Sequence, residues 1–281
     1  MTLGIIGPGL IGGSMAIDLR RRGFAETVLA VEKDPVAADA ALRLGLADAV
    51  AGLEECVRRC DVLVLAVPVD AALALLPRVL DLVAGSGKTV LDVCSVKEPL
   101  CKAASGHPAR GRYVATHPMA GTEYSGPWAA QPGLFDGRAC IFCDAAVSDP
   151  DALELTERLY GVLNMRLLRL GAAEHDLHVA YVSHISHITS FALAQTVLDK
   201  EKNEGHIFDL ASGGFESTVR LAKSSPDMWK PILCHNRDNV LEVVDTYLEK
   251  MKAFRDAVAE GDSEKIGELI EDANRIKRIL K

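Results

Sequence analysis

His117 is the strongest acid–base candidate in the sequence, and it follows the short run Arg-Tyr-Val-Ala-Thr at residues 112–116. That run predicts a β-strand, which Pro118 ends because proline has no backbone N–H to donate. Gly121 and Gly126 then mark a loop. Open α/β sheets carry their chemistry at the carboxyl ends of strands, so we predict that His117 accepts a proton there near neutral pH. For a histidine considered alone, a buried structural role is the alternative.

A glycine-rich motif, Gly-Pro-Gly-Leu-Ile-Gly at residues 7–12, separates a short apolar strand from a predicted helix. The first glycine would make the tight turn, the second would let the backbone approach a pyrophosphate, and the third would let helix and strand pack closely. The free N–H groups at the start of the helix would face the phosphates. The residues predicted to bind the cofactor here are Gly7, Gly9, Leu10, Ile11 and Gly12.

Glu32 directly follows the second predicted strand, at residues 27–31, and lies 20 positions after the last glycine of the motif. At this spacing a carboxylate accepts hydrogen bonds from the adenosine ribose hydroxyls. Because it would repel a 2′-phosphate, the sequence predicts NAD rather than NADP as the cofactor. Val67 and Pro68, where the next buried strand ends, are assigned to the same cofactor crevice.

Strands and helices alternate through the first part of the chain, which predicts an α/β fold with a mostly parallel, doubly wound sheet. We therefore assign residues 1–171 to an NAD-binding, Rossmann-type domain. Ser95 and Lys97 follow the strand predicted at residues 89–93. The glycine motif, this Ser/Lys pair and His117 should consequently share one edge of the sheet. The predicted strands are residues 2–6, 27–31, 61–67, 89–93, 112–116 and 139–143, with an edge strand at 165–170.

The remainder of the chain, residues 172–281, is predicted to be an all-helical substrate and dimerisation domain. A long helix at residues 172–200 carries His184 and His187 on one face. This pair could ligate a metal, but a third ligand is not evident, so a polar stripe facing a cleft is the preferred interpretation. The later predicted helices are residues 215–223, 226–260 and 262–281. Long helices with an apolar face need a large partner surface, which predicts a homodimer.

Composition excludes several classes of partner. The formal net charge is −8, and no basic cluster indicates binding to nucleic acid or to an anionic membrane. No apolar run reaches the length of a membrane span, and the N-terminus lacks the features of a secretory signal. The seven cysteines are scattered, which fits a reducing compartment and predicts a cytoplasmic location. Cys140 and Cys143 should point to opposite faces of a strand, which disfavours a metal or redox role.

Several motifs together resemble the prephenate dehydrogenase family of tyrosine biosynthesis over nearly the whole chain. This resemblance implies NAD-dependent oxidative decarboxylation of prephenate to 4-hydroxyphenylpyruvate, and a helical dimerisation domain. The motifs are Gly-Pro-Gly-Leu-Ile-Gly-Gly-Ser at 7–14, Asp-Val-Cys-Ser-Val-Lys at 92–97, Thr-His-Pro-Met-Ala-Gly-Thr-Glu at 116–123, His-Asp at 175–176, Ser-His-Ile-Ser-His at 183–187, and Val-Arg-Leu-Ala-Lys-Ser-Ser-Pro-Asp-Met-Trp at 219–229.

The resemblance also implies a role for individual residues. His117 would take the proton of the C4 hydroxyl as hydride leaves C4, and Ser95 would orient His117 or the same hydroxyl. Arg220 would hold a substrate carboxylate, for which a planar guanidinium is suited. The remaining substrate-binding candidates are Thr122, Glu123 and His187, which would line or gate the pocket, and Trp229, which would reach it from the partner subunit.

One residue departs from the family pattern. Glu216 stands where a basic residue is often found, and a carboxylate near the pocket favours a substrate that carries an amine, namely arogenate. His187 matches the pattern of enzymes that use prephenate and favours the opposite choice. The substrate alternatives are therefore prephenate and arogenate.

Two further classes share parts of this pattern. A β-hydroxyacid dehydrogenase also combines a Rossmann half with a helical half, but it usually relies on a lysine in the helical part. A non-catalytic NAD-binding sensor would keep the glycine motif, yet would not need Ser95, His117 and Arg220 together.

Overall fold

The computed structural model describes residues 1–279, and within them eight strands form a single sheet. The strand order is β3-β2-β1-β4-β5-β6-β7-β8, and all neighbours are parallel except β6 and β7. The doubly wound, mostly parallel sheet that the sequence predicts is thus confirmed. The strands are Thr2–Ile6 (β1), Thr27–Val31 (β2), Ala49–Val50 (β3), Val62–Leu65 (β4), Thr89–Asp92 (β5), Tyr113–Pro118 (β6), Ala139–Cys143 (β7) and Arg166–Leu170 (β8).

Helices connect the strands and cover both faces of the sheet. Asp34 caps the second helix by accepting a hydrogen bond from the backbone N–H of Val36, and proline follows at the first helical position. Gly23 ends the first helix with a positive φ of 76°. The helices of this part are Leu10–Arg21 (α1), Pro35–Arg43 (α2), Leu53–Arg59 (α3), Val69–Val83 (α4), Glu98–Ala104 (α5) and Pro150–Val162 (α6).

The core has two layers because side chains alternate along the buried strands. On β4, Leu63 and Leu65 face one apolar cluster, whereas Val62 and Val64 face the other. Parallel strands buried on both faces read as continuous apolar runs, which is what the sequence shows here. The same alternation places Cys143 in the first cluster and Cys140 in the second, so the predicted opposite orientation of these two thiols is confirmed.

The helix predicted at residues 172–200 is present but is not regular. It comprises Ala172–Val179 (α7), a π-helical segment at Ala180–His184, and Ile185–Glu204 (α8). A π-helical turn adds a residue to the helical repeat and is frequent at functional sites. Here the segment contains His184, one of the two histidines predicted to share a face.

The prediction of a single helix at residues 226–260 is wrong in one respect. In the structure, Asn236 divides this segment into two helices. The chain forms Pro226–His235 (α10) and then Arg237–Glu260 (α11). Asn236 leaves helical geometry, and its side-chain amide donates to the carbonyl oxygen of Asp176 at 2.7 Å. Before this point, Gly213–Val219 (α9) and a 3₁₀ turn at Arg220–Lys223 replace the short helix predicted there.

Contacts divide the chain into two compact units, Met1–Asn236 and the residues from Arg237 onward. The second unit consists of α11, Ser263–Asn274 (α12) and a 3₁₀ turn at Arg275–Arg278. Residues 280 and 281, at the end of the last predicted helix, lie outside the described residues. The predicted domains, residues 1–171 and 172–281, stay a prediction. In the described part of the chain, no helix has the length and apolarity needed to cross a membrane.

Candidate active site

The carboxyl ends of four parallel strands meet at one edge of the sheet. In register across them lie Ile6 on β1, Leu65 on β4, Asp92 on β5 and Ala115 on β6. This edge of the sheet therefore carries, in order, the glycine loop, residues 66–68, residues 93–97 and His117. The chain winds in opposite directions on either side of β1 and β4, and an α/β sheet binds ligands in the crevice at such a point.

The glycine loop has the geometry that a nucleotide phosphate requires. Gly7 has a φ of +93°, and a Cβ atom there would lie 2.5 Å from the carbonyl oxygen of Ala66. A Cβ at Gly12 would collide with the carbonyl oxygen of Gly7, so glycine permits close contact between helix and strand. A Cβ atom at Gly9, by contrast, would lie 4.0 Å from its nearest neighbour, the backbone nitrogen of Gly126. The backbone of Gly9 is therefore open to a ligand. The roles predicted for the three glycines fit this geometry.

The first turn of α1 carries no acidic residue, so the N–H groups of Leu10, Ile11 and Gly12 face the crevice without a competing carboxylate. Glu32 is fixed at the end of β2, where its Oε1 atom accepts from the backbone N–H groups of Lys33 at 2.8 Å and Asp34 at 2.9 Å. Its second oxygen stays available for a ribose hydroxyl.

Two further residues assigned to the cofactor crevice follow β4. Val67 is half-buried, and its side chain lies against Gly7. Pro68 is exposed and is the N-cap residue of α4. Both therefore border the glycine loop on its β4 side, where the sequence places them.

His117 is buried at the end of β6, 8% exposed, and its Nδ1 atom is hydrogen-bonded to Nε2 of His175 at 2.8 Å. Nδ1 of His175 is in turn 2.7 Å from Oδ1 of Asp176. Asp176 also accepts from the backbone N–H groups of Lys97 and Glu98, at 2.7 and 2.8 Å. A histidine, a second histidine and a carboxylate thus form one chain of hydrogen bonds from the sheet edge to α7.

The role predicted for Ser95, to orient His117 or the C4 hydroxyl, stays a prediction. The serine is half-buried after β5, and within residues 1–279 no hydrogen bond of its hydroxyl is seen. The ring of His117 is held by His175, to which sequence reasoning gave no role. The only signal for it was the His-Asp pair at residues 175–176, because the contact spans 58 positions of the chain.

Lys97 forms a fully buried ion pair with Asp92, and Nζ of Lys97 also donates to the carbonyl oxygen of Thr116 at 2.7 Å. Asp92 accepts from the Tyr113 hydroxyl at 2.7 Å and from the backbone N–H of Cys94 at 2.9 Å. A buried carboxylate with these donors is satisfied as an ion. The pair therefore fixes the residue that directly precedes His117.

Burial holds the pKa of the His117 imidazole well below its usual value, since an imidazolium would lose its hydration. The charged or ionisable groups His175, Lys97 and His184 lower this pKa further. Burial also lowers the pKa of His184 to about 4 and lowers that of His187. All three imidazoles are consequently neutral near pH 7, and a neutral His117 can act as a base.

His184 and His187 both face Trp229, so the shared face predicted for them is confirmed. The Trp229 ring stacks on His187 with centroids 3.5 Å apart and meets His184 edge-on at 5.8 Å. Trp229 therefore lies beside His187 within a single chain, and a partner subunit is not required to bring it there. Among the described residues, no group of three or more His, Cys, Asp or Glu side chains is placed to hold a metal ion.

Arg220 and Glu123 form an ion pair across 97 positions of sequence, with Nη1 and Oε2 2.9 Å apart. A bond to its own backbone N–H and then Arg220 lower the pKa of the Glu123 carboxyl. Thr122 uses its hydroxyl locally, as acceptor of the Tyr124 N–H at 3.3 Å. A cavity of about 570 Å³ adjoins the ion pair, and its lining includes Glu123, Trp128 and Lys223 but not His117.

A doubly wound sheet with a glycine loop at its crevice and a neutral histidine three strands away along the same edge defines a nicotinamide-dependent dehydrogenase. Sequence models of one family match most of the chain. "Prephenate dehydrogenase, nucleotide-binding domain" covers residues 15–168, and "Prephenate dehydrogenase, dimerization domain" covers residues 171–272. The chain belongs to the prephenate dehydrogenase family.

Individual relatives agree with this assignment. Prephenate dehydrogenase of Bacillus subtilis (strain 168) is 30% identical over 267 residues, covering 94% of this chain and 72% of the relative. Cyclohexadienyl dehydrogenase of Zymomonas mobilis is 29% identical over 285 residues, covering 99% and 96%. The crystal structure of prephenate dehydrogenase from Aquifex aeolicus with hydroxyphenyl propionate and NAD⁺ superposes with a TM-score of 0.86 at 27% identity, covering 99% and 97%. The predicted cofactor, NAD, is supported by the matched nucleotide-binding domain and by this neighbour.

Proposed function

We propose that this chain catalyses the NAD-dependent oxidative decarboxylation of prephenate to 4-hydroxyphenylpyruvate, as a cytoplasmic step of tyrosine biosynthesis. The observation that carries the proposal is His117, a buried neutral imidazole at the carboxyl end of β6, on the sheet edge from which the glycine loop also emerges. Names of the relatives support it, since those of Bacillus subtilis and Aquifex aeolicus are both prephenate dehydrogenases.

The chain's own contribution is to bind, orient and deprotonate. Bound NAD supplies the hydride acceptor. Nε2 of His117 would take the proton of the C4 hydroxyl, and loss of CO₂ would then make the ring aromatic. Because aromatisation favours the product, positioning and deprotonation are the main tasks left to the protein. Gly7, Gly9 and the N–H groups at the start of α1 would hold the pyrophosphate, and Glu32 the ribose.

A substrate with two carboxylates meets several donors in this region. Arg220 would bind one carboxylate through the part of its guanidinium that Glu123 does not use. His184 Nε2 and Trp229 Nε1 are buried and have no hydrogen-bond partner among the described residues. Buried polar atoms are costly unless a ligand or water satisfies them, so these two atoms would serve a substrate oxygen. The substrate pocket would also be bordered by Thr122, Glu123 and His187. Ser95 would contact the C4 hydroxyl of the substrate.

Arogenate is the second candidate substrate. Glu216 is exposed in the first turn of α9 and lies one helical turn before Arg220, where a carboxylate could meet an amine. The Zymomonas mobilis relative is named a cyclohexadienyl dehydrogenase rather than a prephenate dehydrogenase.

The test is to incubate the purified chain with NAD and either prephenate or arogenate, and to follow NADH absorbance. We expect turnover of prephenate, and a lower kcat/KM for arogenate. Oxidation of arogenate alone would replace the first candidate by the second, and no NADH from either compound would overturn both.

The same assay tests cofactor selection. We expect NAD to be preferred over NADP, and Glu32→Gln to narrow that preference by about tenfold, since it removes repulsion between two charges a few ångströms apart. Glutamine can still accept from the N–H groups of Lys33 and Asp34. Equal use of NADP by the wild type would show that Glu32 does not select the cofactor.

A further inference from the structure

His175 is buried completely, and both of its ring nitrogens are engaged. Its Nδ1 atom faces Oδ1 of Asp176, and its Nε2 atom faces Nδ1 of His117. A carboxylate can only accept, so Nδ1 of His175 must carry a proton. In a neutral imidazole the other nitrogen is then an acceptor, and Nε2 of His175 can receive a hydrogen bond from His117.

We propose that His175, anchored by Asp176, is the positioning residue that keeps His117 in the tautomer with its proton on Nδ1. Nε2 of His117 is then left with a free lone pair. The proposal rests on the proposed function in one respect, namely that His117 is the base. It goes beyond it by naming what decides which ring nitrogen can accept the substrate proton.

Asp176 is well suited to act as the anchor. It receives the backbone N–H groups of Lys97 and Glu98 in addition to His175, so its carboxylate is satisfied by three donors and cannot rotate freely. Asn236 donates to the Asp176 carbonyl oxygen and also to Nδ1 of His184. The anchor is thereby tied to the loop after β5 and to the end of α10.

The opposite arrangement, in which Nε2 of His175 donates a proton to His117, would place a second positive charge in this buried region. If Nε2 of His175 donated to His117, His175 would be an imidazolium. It would then be fully buried, within hydrogen-bond distance of His117 and in the region already occupied by the Lys97 cation. The groups that face His117 are His175 on α7, Lys97 after β5 and His184 in the π-helical segment. Of these groups, the Lys97 ammonium has no lone pair to accept a hydrogen bond from Nδ1 of His117. A neutral imidazole can accept one, and His175 is the imidazole within reach.

Histidine isosteres separate the two contacts of His175. In His175→Asn the amide replaces the Nδ1 side of the ring, so contact with Asp176 can persist while the acceptor for His117 is lost. In His175→Gln the amide oxygen reaches the position of Nε2 and can still accept from His117. His178→Asn is the matched control, because His178 is exposed on the same helix and touches none of these groups.

The first measurement is the ¹⁵N chemical shift of the histidine rings in the NAD-free protein, with His117 assigned by loss of its signals in His117→Asn. We expect a protonated Nδ1 and an unprotonated Nε2 in the wild type. His175→Gln should keep this pattern, and His175→Asn should lose it. A wild-type His117 protonated on Nε2 would overturn the proposal whether or not the chain oxidises prephenate.

The second measurement is steady-state turnover. Removing the partner that orients a metal-ligating histidine typically costs about 10–100-fold, and we expect the same range for the partner of His117. We expect kcat of His175→Asn to fall by about that factor with KM nearly constant, His175→Gln to retain most of kcat, and His178→Asn to match the wild type. A kcat for His175→Gln as low as that of His175→Asn would refute positioning by a hydrogen-bond acceptor. Should His175→Asn fail to fold, His175→Gln and the wild-type tautomer still decide the question. If the wild type itself shows no turnover, the proposed function fails while the ring shifts remain a valid test.

Discussion

The groups around His117 oppose a positive charge on its ring. Burial removes water from the imidazole, and His175, Lys97 and His184 add to the effect, so its pKa lies well below the usual value. The neutral form of a base is the active one. Activity limited by His117 should therefore rise with pH along a limb below pH 6.5, and be level near neutrality.

His117→Asn tests this assignment. Asparagine keeps a polar side chain at the end of β6 but cannot take the substrate proton, and general-base catalysis is worth about 10²–10⁴-fold. We expect kcat to fall by that order and the acid limb to vanish, while NAD affinity, measured by calorimetry, is unchanged. His178→Asn is the control. A folded His117→Asn protein that turns over near the wild-type rate would refute the mechanism.

The same pKa shift predicts how stability depends on pH. The unfolded chain binds a proton at His117 more tightly than the folded chain does, so the free energy of unfolding decreases as pH falls through about 6.5. His184, with a pKa lowered to about 4, acts in the same direction.

Arg220 is the residue whose loss should affect substrate binding most directly. Arg220→Ala removes a charged hydrogen bond to a carboxylate, worth about 1.5–3 kcal/mol, so we expect KM to rise by about 10–100-fold with NAD affinity nearly constant. Lys230→Ala, an exposed cation on α10, is the matched control. If KM stays constant in Arg220→Ala, the guanidinium only pairs with Glu123 on the surface.

At the scale of elements, β1, the glycine loop and α1 form the part of the site that local sequence specifies. The glycine loop has two functions, to admit the cofactor and to let helix and strand pack closely, and Gly9→Ala and Gly12→Ala test them separately. Space is open beside Gly9, so Gly9→Ala should fold normally and bind NAD at least about tenfold more weakly. A Cβ at Gly12 meets the backbone of Gly7 and the side chain of Ile5, so Gly12→Ala should lower Tm by several degrees. Thermal melting and NAD calorimetry check both, and equal effects of the two variants would contradict this division.

The elements that the sequence predicts well are those with local signals. The glycine motif and the apolar runs of β4 and β5 can each be recognised from a few consecutive residues. The π-helical segment and the break at Asn236 carry no such signal. Asn236 is held by Asp176 and His184, which are 60 and 52 positions away, so its helical pattern is overridden by tertiary contacts.

The candidate site divides in the same way. The position of His117 at the sheet edge could be predicted, because His117 follows a predicted strand and the carboxyl ends of parallel strands meet at one edge. The partner of its ring could not be predicted, because His175 approaches only when α7 packs against that edge. Trp229 was assigned to the pocket from a motif, yet its stack on His187 joins two helices of one chain.

At the scale of the whole molecule, α11 presents an apolar stripe. Leu241, Leu248, Met251 and Val258 are all exposed, and their spacings of 7, 3 and 7 place them on one side of the helix. Exposed apolar patches mark interaction surfaces, and residues 171–272 match the dimerization domain of the family.

We therefore propose that the chain is a homodimer in which this stripe is covered. Sedimentation equilibrium at micromolar protein should give twice the chain mass of 30.1 kDa. Leu248→Glu would bury a carboxylate without a partner in the interface, so it should shift the equilibrium toward monomer by at least about 100-fold in Kd. Lys250→Glu changes a neighbouring exposed residue on the other side of α11 and should leave the dimer intact. A wild-type monomer would rule out the dimer, and a Leu248→Glu dimer as tight as the wild type would show that subunits meet through another surface.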